Sequence, residues 1–190
     1  MWRLSRPTPD DVRRHLEIQR QLPFSYEAVG ATRAGSIPAG FDHDHNREMI
    51  GTGAPAFAAA CAAVRAWTMF APPLVWIEPR GIPIAPGEVA GVVAHALGLW
   101  WLSAARIVYV IDEPRWFGFA YGTLPGHVER GEERFSVEWL EDDSVWYDLK
   151  AFSKPGYWGA RLARPLARRL QRRFVRLSKE AMREAVRRAH

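Results

Sequence analysis

Three consecutive strand-like runs between residues 116 and 155 constrain the fold more than any other feature of the sequence. In the first run, Phe117, Phe119 and Tyr121 alternate with small residues. The runs that contain Phe135 and Tyr147 alternate in the same way. Successive side chains on a strand point to opposite faces, so this pattern predicts an antiparallel meander with one apolar face. The bare face of the first run predicts either the close approach of another segment or a bend in the strand.

A second apolar block, residues 89–111, is long enough to span a bilayer. It contains Arg106, however, and the pair Leu97-Gly98 interrupts it. We therefore predict a two-stranded hairpin and no transmembrane segment. A short strand at 74–78 is predicted to precede the hairpin.

Three stretches have helical patterns. Thr8-Pro9-Asp10-Asp11 predicts a helix start, with Thr8 as N-cap and acidic residues in the first turn. Residues 55–70 form an amphipathic pattern. A long basic helix is predicted from about 158 to 189, with an apolar stripe that includes Leu170 and Phe174. Between these stretches we predict a short strand at 24–32 and a loop at 34–53.

This order predicts an α+β fold in which a curved antiparallel sheet of about six or seven strands grips a long C-terminal helix, with extra N-terminal helices. We expect a single domain over 1–190, with an N-terminal helical part (1–23), the sheet and its inserted helix (24–153), and the last helix (157–189). The arrangement resembles the helix-grip fold of the START and Bet v 1-like superfamily. That resemblance implies an apolar cavity between the sheet and the helix.

The single cysteine and the N-terminal residues predict a cytoplasmic protein, and the positive charge is concentrated in the last helix. The net charge is +5, but the chain from Arg161 onward has eleven basic residues against two glutamates, so the remainder carries −4. The basic character therefore belongs to the last helix. Cys61 is the single cysteine, which excludes an internal disulfide and fits a reducing compartment. The first seven residues lack the apolar core of a signal peptide.

Several motifs together resemble an uncharacterised family, the domain of unknown function nineteen-ninety. They are the Gly51-Thr-Gly motif, Trp67-Thr-Met-Phe, Arg106-Ile-Val-Tyr-Val, Phe117-Gly-Phe-Ala-Tyr-Gly-Thr-Leu-Pro-Gly-His, Gly131-Glu-Glu-Arg-Phe, Ala151-Phe-Ser-Lys-Pro and Gln171-Arg-Arg-Phe. The resemblance runs from about Leu22 to the C-terminus. It implies one complete domain and supplies no catalytic residue.

The candidate residues for chemistry are His127, Glu133 and His95. A histidine beside a carboxylate can act as an acid/base pair, although His127 also suits a solvent-facing hairpin connection and His95 suits packed core. The candidates for ligand binding are Arg106, Tyr109, Tyr121, Tyr147 and Trp139, which offer polar groups on apolar strands. Arg106 can equally form a structural ion pair with Glu133 or Glu138.

We predict no metal site and no cofactor. Asp42-His43-Asp44-His45 has residue types that bind metals, but one cluster without distant ligands fits a solvated loop better. The sequence contains no nucleophile elbow, phosphate-binding glycine loop, Cys-x-x-Cys pair or dinucleotide fingerprint. These absences argue against the usual hydrolases, NTPases, zinc modules and dehydrogenases.

Three functions remain open. The first is binding of an apolar or amphipathic small molecule between the sheet and the last helix. The second is an enzyme of the cyclase, lyase or isomerase type that uses His, Glu or Tyr in the same cavity. The third is interaction with nucleic acid or an anionic surface through the arginines. Nucleic acid is disfavoured, because no aromatic residues alternate with the arginines on the exposed face.

Overall fold

A computed structural model describes residues 2–35, 38–70, 74–156 and 164–189, and of residues 164–167 only the backbone. The described residues form eight strands and four helices. The strands are β1 (Trp2–Arg3), β2 (Asp42–Thr52), β3 (Val75–Glu78), β4 (Val89–Ala96), β5 (Leu99–Glu113), β6 (Trp116–Thr123), β7 (Glu129–Trp139) and β8 (Ser144–Pro155). The helices are α1 (Pro9–Gln19), α2 (Ala31–Ala34), α3 (Gly53–Arg65) and α4 (Arg164–Arg188).

All eight strands belong to one antiparallel sheet. Its order is β2-β8-β7-β6-β5-β4-β3, and β1 pairs with β5. The predicted hairpin is confirmed as β4 and β5, which turn at Leu97-Gly98 where both residues have positive φ. The predicted meander is confirmed as β6, β7 and β8. The α+β class and the C-terminal helix are likewise as predicted, and β1 and β2 bring the number of strands to eight.

Two segments differ from their predictions. Residues 42–52, predicted to be a loop, form edge strand β2, which pairs with β8 from Asp42 opposite Ser153 to Thr52 opposite Ser144. Its polar residues suit an edge because every second side chain reaches solvent. Residues 24–32, predicted to be a strand, form turns and the start of α2 instead.

The boundaries of two predicted helices also need correction. The helix predicted at 55–70 is α3, which ends at Arg65 and is followed by turns through residue 70. The last helix is described from Arg164, and the predicted start near residue 158 lies outside the described residues. None of the helices in the described part of the chain is long and apolar enough to cross a membrane.

Helices α3 and α4 cover one face of the sheet, which we call the inner face. Its core joins small residues of α3 and apolar residues of α4 to large side chains of the strands. The main members are Ala56, Ala60, Val64, Phe119, Phe135, Tyr147, Leu149, Met182 and Val186. Burial of apolar surface at about 25 cal/mol per Å² makes this the principal source of stability.

The opposite, outer face carries α1 and residues 24–34. Tyr26 lies against Gly122 of β6, where a Cβ atom would meet the Tyr26 ring at 2.8 Å. The predicted close approach at the bare face is therefore confirmed. The buried carboxylate of Glu132 fixes this segment because it accepts hydrogen bonds from the Tyr26 hydroxyl (2.8 Å) and from the backbone N–H of Gly30 (2.6 Å) and Thr32 (3.0 Å).

Candidate functional site

A carboxyl–phenol pair lies on the inner face of the sheet. Tyr121 of β6 is opposite Glu133 of β7, and its hydroxyl donates to Glu133 Oε2 at 2.6 Å. Burial raises the pKa of Glu133 to about 7, and burial also raises the pKa of Tyr121. An acid group with a near-neutral pKa on an apolar face marks a candidate site.

Helix α4 lies over this part of the sheet and is fastened by polar contacts. The hydroxyls of Tyr147 and Ser178, both buried, are 2.7 Å apart. Nearer the start of α4, Arg168 donates to Asp44 Oδ2 at 2.6 Å. These contacts hold the helix above β2 and β8.

Phe70 separates the Tyr121–Glu133 pair from a cleft at the other end of α4. Its ring centroid is 5.2 Å from that of Phe135, 5.5 Å from that of Phe174 and 6.1 Å from that of Tyr121. Phe70 therefore packs beside Tyr121 and also lines the cleft.

The cleft has a volume of about 480 Å³ and lies between the turn after α3, β3 with its following turn, and the last turns of α4. Its inner surface is apolar, and its rim carries charged groups. The lining includes Trp67, Phe70, Ile77, Ala181 and Ala185, with Arg80, Glu184 and Arg188 also contributing. This volume is within the range of pockets that hold small organic ligands, roughly 300–1,000 Å³.

Trp67 is placed in the cleft by an unusual helix end. The N–H of Trp67 donates to the Val64 carbonyl and that of Thr68 to the Ala63 carbonyl, which is a Schellman motif. Trp67 occupies the position that normally takes glycine, with φ at 58°. Its indole is 4.7 Å from Phe119 between ring centroids and donates to the Ile82 carbonyl at 3.0 Å. Packing around the ring thus holds a backbone conformation that few large residues adopt.

The structure brings together three of the predicted site residues, Tyr121, Tyr147 and Glu133, on the inner face beneath α4. Trp139 lies elsewhere, in a surface depression of about 400 Å³ at the turn between β5 and β6. The Arg115 guanidinium lies 4.3 Å from the centroid of the Trp139 ring. This depression is formed by the ends of three strands, β5, β6 and β7, and takes no residue from α4.

Arg106 and Tyr109 face the outer side of the sheet. Arg106 donates to the backbone carbonyls of Arg20 (3.0 Å) and Leu22 (2.9 Å) at the end of α1, rather than to Glu133 or Glu138 as the sequence suggested. Tyr109 follows a register shift in β5, after which it pairs with Ala120, and its hydroxyl is 2.7 Å from that of Thr32. Both side chains hold the N-terminal part of the chain against the outer face.

The two histidine candidates lie apart from the Tyr121–Glu133 pair. His127 is half-buried in the β6–β7 connection, and its Nδ1 accepts from the Glu129 backbone N–H at 3.1 Å. Burial lowers the pKa of His127. His95 stacks on Trp100 near the β4–β5 turn, with 4.3 Å between ring centroids. Neither histidine contacts Glu133.

Four residues of this region were not among the candidates predicted from the sequence: Trp67, Phe70, Arg80 and Ser178. Trp67 falls within the amphipathic pattern of residues 55–70, where a core residue and a cleft residue look alike. Arg80 lies in a Pro-Arg-Gly turn whose spatial neighbours the sequence does not indicate. In the described residues, no group of three or more His, Cys, Asp or Glu is placed to hold a metal ion.

An antiparallel sheet with a long C-terminal helix across one face defines an α+β protein of the helix-grip, Bet v 1-like class. The crystal structure of Ara h 8.0201 has this fold, with a TM-score of 0.50 and 18% identity over 77% of this chain and 98% of that one. The chain belongs to the family described as Domain of unknown function (DUF1990), which matches residues 25–181.

Relatives in the same family come from distant organisms. A UPF0548 protein of Dictyostelium discoideum is 34% identical over 189 residues, covering 87% of each chain. A UPF0548 protein of Deinococcus radiodurans is 34% identical over 179 residues, covering 87% of this chain and 89% of the relative. The family resemblance found from the motifs is confirmed.

Proposed function

We propose that the protein binds an apolar or amphipathic small molecule in the cleft between the edge of the sheet and α4. The observation that carries the proposal is the apolar surface of this cleft, where Trp67, Phe70 and Ile77 face Ala181 and Ala185. Aromatic side chains opposite small ones leave a space suited to a flat or extended apolar body.

The geometry of Trp67 supports the same proposal. Glycine is the residue that best fits a Schellman C′ position, so a tryptophan there carries a conformational cost of about 1 kcal/mol. Its ring lines the cleft and is fixed by Phe119 and the Ile82 carbonyl. A ligand-contacting role gives a reason for a large aromatic group at this point.

The proposal is tested with N-phenyl-1-naphthylamine, a neutral apolar probe whose fluorescence rises on leaving water. The wild-type protein is expected to bind the probe. Ala181→Trp, which fills the cleft from the α4 side, is expected to weaken binding at least tenfold, because the indole occupies the space of the probe. The measurement is a fluorescence titration of each protein.

Arg172→Trp is the matched control, since it adds the same ring to an exposed position of α4. Its affinity for the probe should equal that of the wild type. Thermal unfolding of both variants verifies that the fold is kept. Absence of wild-type binding, or equal binding by Ala181→Trp and wild type, contradicts the proposal.

A further inference from the structure

We infer that the occupant of the cleft is an anionic amphiphile, with its acid group at Arg80 on the rim and its apolar body against Trp67 and Phe70. This inference rests on the proposed function and adds the charge and the orientation of the ligand. It is carried by the position of Arg80, by the surplus of positive charge at the rim, and by the acid group that lies further in.

Arg80 is an exposed cation that keeps its guanidinium available. It lies in the turn after β3 and lines the cleft. The same turn leads to Ile82, whose carbonyl accepts a hydrogen bond of 3.0 Å from the Trp67 indole. This bond fixes the turn that carries Arg80 relative to the Trp67 ring. Among the residues that the structure describes, none forms an ion pair, a hydrogen bond or a ring contact with the Arg80 side chain.

Several other arginines of the described structure form ion pairs. Arg65 lies 3.7 Å from Asp112, Arg6 lies 3.9 Å from Glu78, and Arg183 contacts Glu48. Of the two arginines that line the cleft, Arg188 pairs with Glu184, and Arg80 has no such partner among the described residues. A guanidinium presents parallel N–H donors that match a carboxylate, sulfonate or phosphate.

The last turn of α4 adds further positive charge to the rim. Arg188 lines the cleft and donates from Nε to Glu184 Oε1 at 2.7 Å, and Arg187 contacts the other oxygen of Glu184 at 2.5 Å. One carboxylate is therefore shared by two guanidiniums, while Arg80 adds a third cation. The electrostatic potential at the rim favours an anion.

The interior sets the orientation of the ligand. Glu133 lies further from the rim than Phe70. It accepts a hydrogen bond from Tyr121, whose ring centroid is 6.1 Å from that of Phe70. An anion placed there would face a like charge or force Glu133 to take up a proton, whereas the rim offers cations. The acid group of the ligand therefore stays at the rim, and its apolar end points towards Phe70.

Two probes with the same aromatic skeleton test the inference. 1-Anilinonaphthalene-8-sulfonate carries a sulfonate, and N-phenyl-1-naphthylamine lacks it. We expect wild-type protein to bind the sulfonate probe more tightly than the neutral one. Arg80→Gln is expected to weaken binding of the sulfonate probe about tenfold and to leave the neutral probe unchanged, because only the charged contact is lost.

Arg176→Gln is the matched control, since Arg176 is an exposed arginine on α4 that pairs with Glu180 away from the cleft lining. It should leave both affinities unchanged. Competition for bound sulfonate probe then separates the sources of the acid group: displacement by decanoate assigns a free carboxylate, and displacement by phosphatidylglycerol vesicles alone assigns a membrane lipid. Decanol, the neutral counterpart, should compete less well than decanoate.

The inference is overturned if Arg80→Gln weakens the binding of both probes equally, or if it does not weaken the binding of the sulfonate probe. Either result leaves the proposed function standing. Failure of decanoate and of the vesicles to displace the probe also overturns it. If wild-type protein binds neither probe, the proposed function fails together with the inference.

Discussion

Glu133 is an acidic residue whose surroundings in the folded protein differ strongly from water. It lies beside Phe135 on the inner face. Among the described residues, the hydrogen bond that Glu133 accepts comes from the Tyr121 hydroxyl. Burial raises its pKa from 4.5 to about 7. In the interval between these values the folded protein holds a proton that the unfolded chain has released, so the contribution of Glu133 to stability falls as the pH rises from about 4.5 to about 7.

We expect Glu133→Gln to remove this pH dependence. Glutamine keeps an acceptor for the Tyr121 hydroxyl but carries no titrating proton. As the pH rises from 5 to 8, the variant should gain free energy of unfolding relative to wild type, by roughly 2–3 kcal/mol. Urea unfolding of both proteins at four pH values measures this gain.

Glu141→Gln, an exposed substitution, is the control and should follow the wild type. The pKa of His127 is lowered by burial, so His127 contributes a dependence of opposite sign, but it is present in both proteins and cancels in the comparison. The same difference between wild type and Glu133→Gln at pH 5 and pH 8 would contradict this account.

Some of the site could be predicted from alternation along the strands, and some could not. Tyr121 and Tyr147 stand at odd positions of strands whose odd residues form an apolar face, and both lie on the inner side. Tyr109 follows the same odd numbering but faces outward, because a register shift between Ile107 and Tyr109 reverses the alternation. A bulge of one residue is not visible in composition or period.

Helix α1 depends on a residue from the sheet for its C-terminal end. It has no basic residue in its last turn. Arg106 of β5 supplies the positive charge and donates to the carbonyls of Arg20 and Leu22. Carbonyls at a helix C-terminus lack partners within the helix and attract cations, so this side chain connects an N-terminal helix to a central strand.

We expect Arg106→Met to loosen α1 while leaving the inner face intact. Loss of hydrogen bonds from a charged donor should lower the free energy of unfolding by about 1.5–3 kcal/mol. The amides of α1 should exchange with solvent faster, which hydrogen-exchange mass spectrometry detects. Arg20→Gln, an exposed side chain at the same helix end, should behave as wild type. Unchanged exchange in α1 would refute the capping role.

The elements that depend on local sequence patterns could be predicted from the sequence. The elements that depend on contacts with distant parts of the chain could not. The β4–β5 hairpin and the meander follow from alternation and turns between neighbours. Strand β2 is rich in Asp, His and Asn, which have low strand propensity, and it forms because β8, about a hundred residues later, offers a complete ladder of partners. Residues 24–32 are held in turns by Glu132, which no local pattern indicates.

At the scale of the whole molecule, β2, α3 and α4 pack closely together at Gly51. A Cβ atom on this residue would lie 2.7 Å from Ala56 Cβ and 3.1 Å from Val186 Cγ1. The two helices can therefore approach the sheet only because Gly51 has no side chain. Charge reinforces the junction, since Glu48 of β2 lies 2.9 Å from Lys179 of α4.

We expect Gly51→Val to lower the stability of the whole protein by about 1–3 kcal/mol, because overpacking displaces one of the two helices. Thermal unfolding should show a single transition at lower temperature. Met49→Val places the same side chain at an exposed position of the same strand and should leave the melting temperature unchanged. Equal melting temperatures for the two variants would contradict the proposed crowding.

Two parts of the fold can form only late in translation. They are the pairing of β2 with β8 and the packing of α4 against the sheet. Strand β2 is translated well before its partner, because the paired residues of β8 follow 92 to 111 positions later in the chain. The aromatic inner face stays partly uncovered until α4 leaves the exit tunnel. Until then the nascent chain exposes apolar surface, and exposed apolar surface makes partly folded chains prone to aggregation and suited to binding by ribosome-associated chaperones.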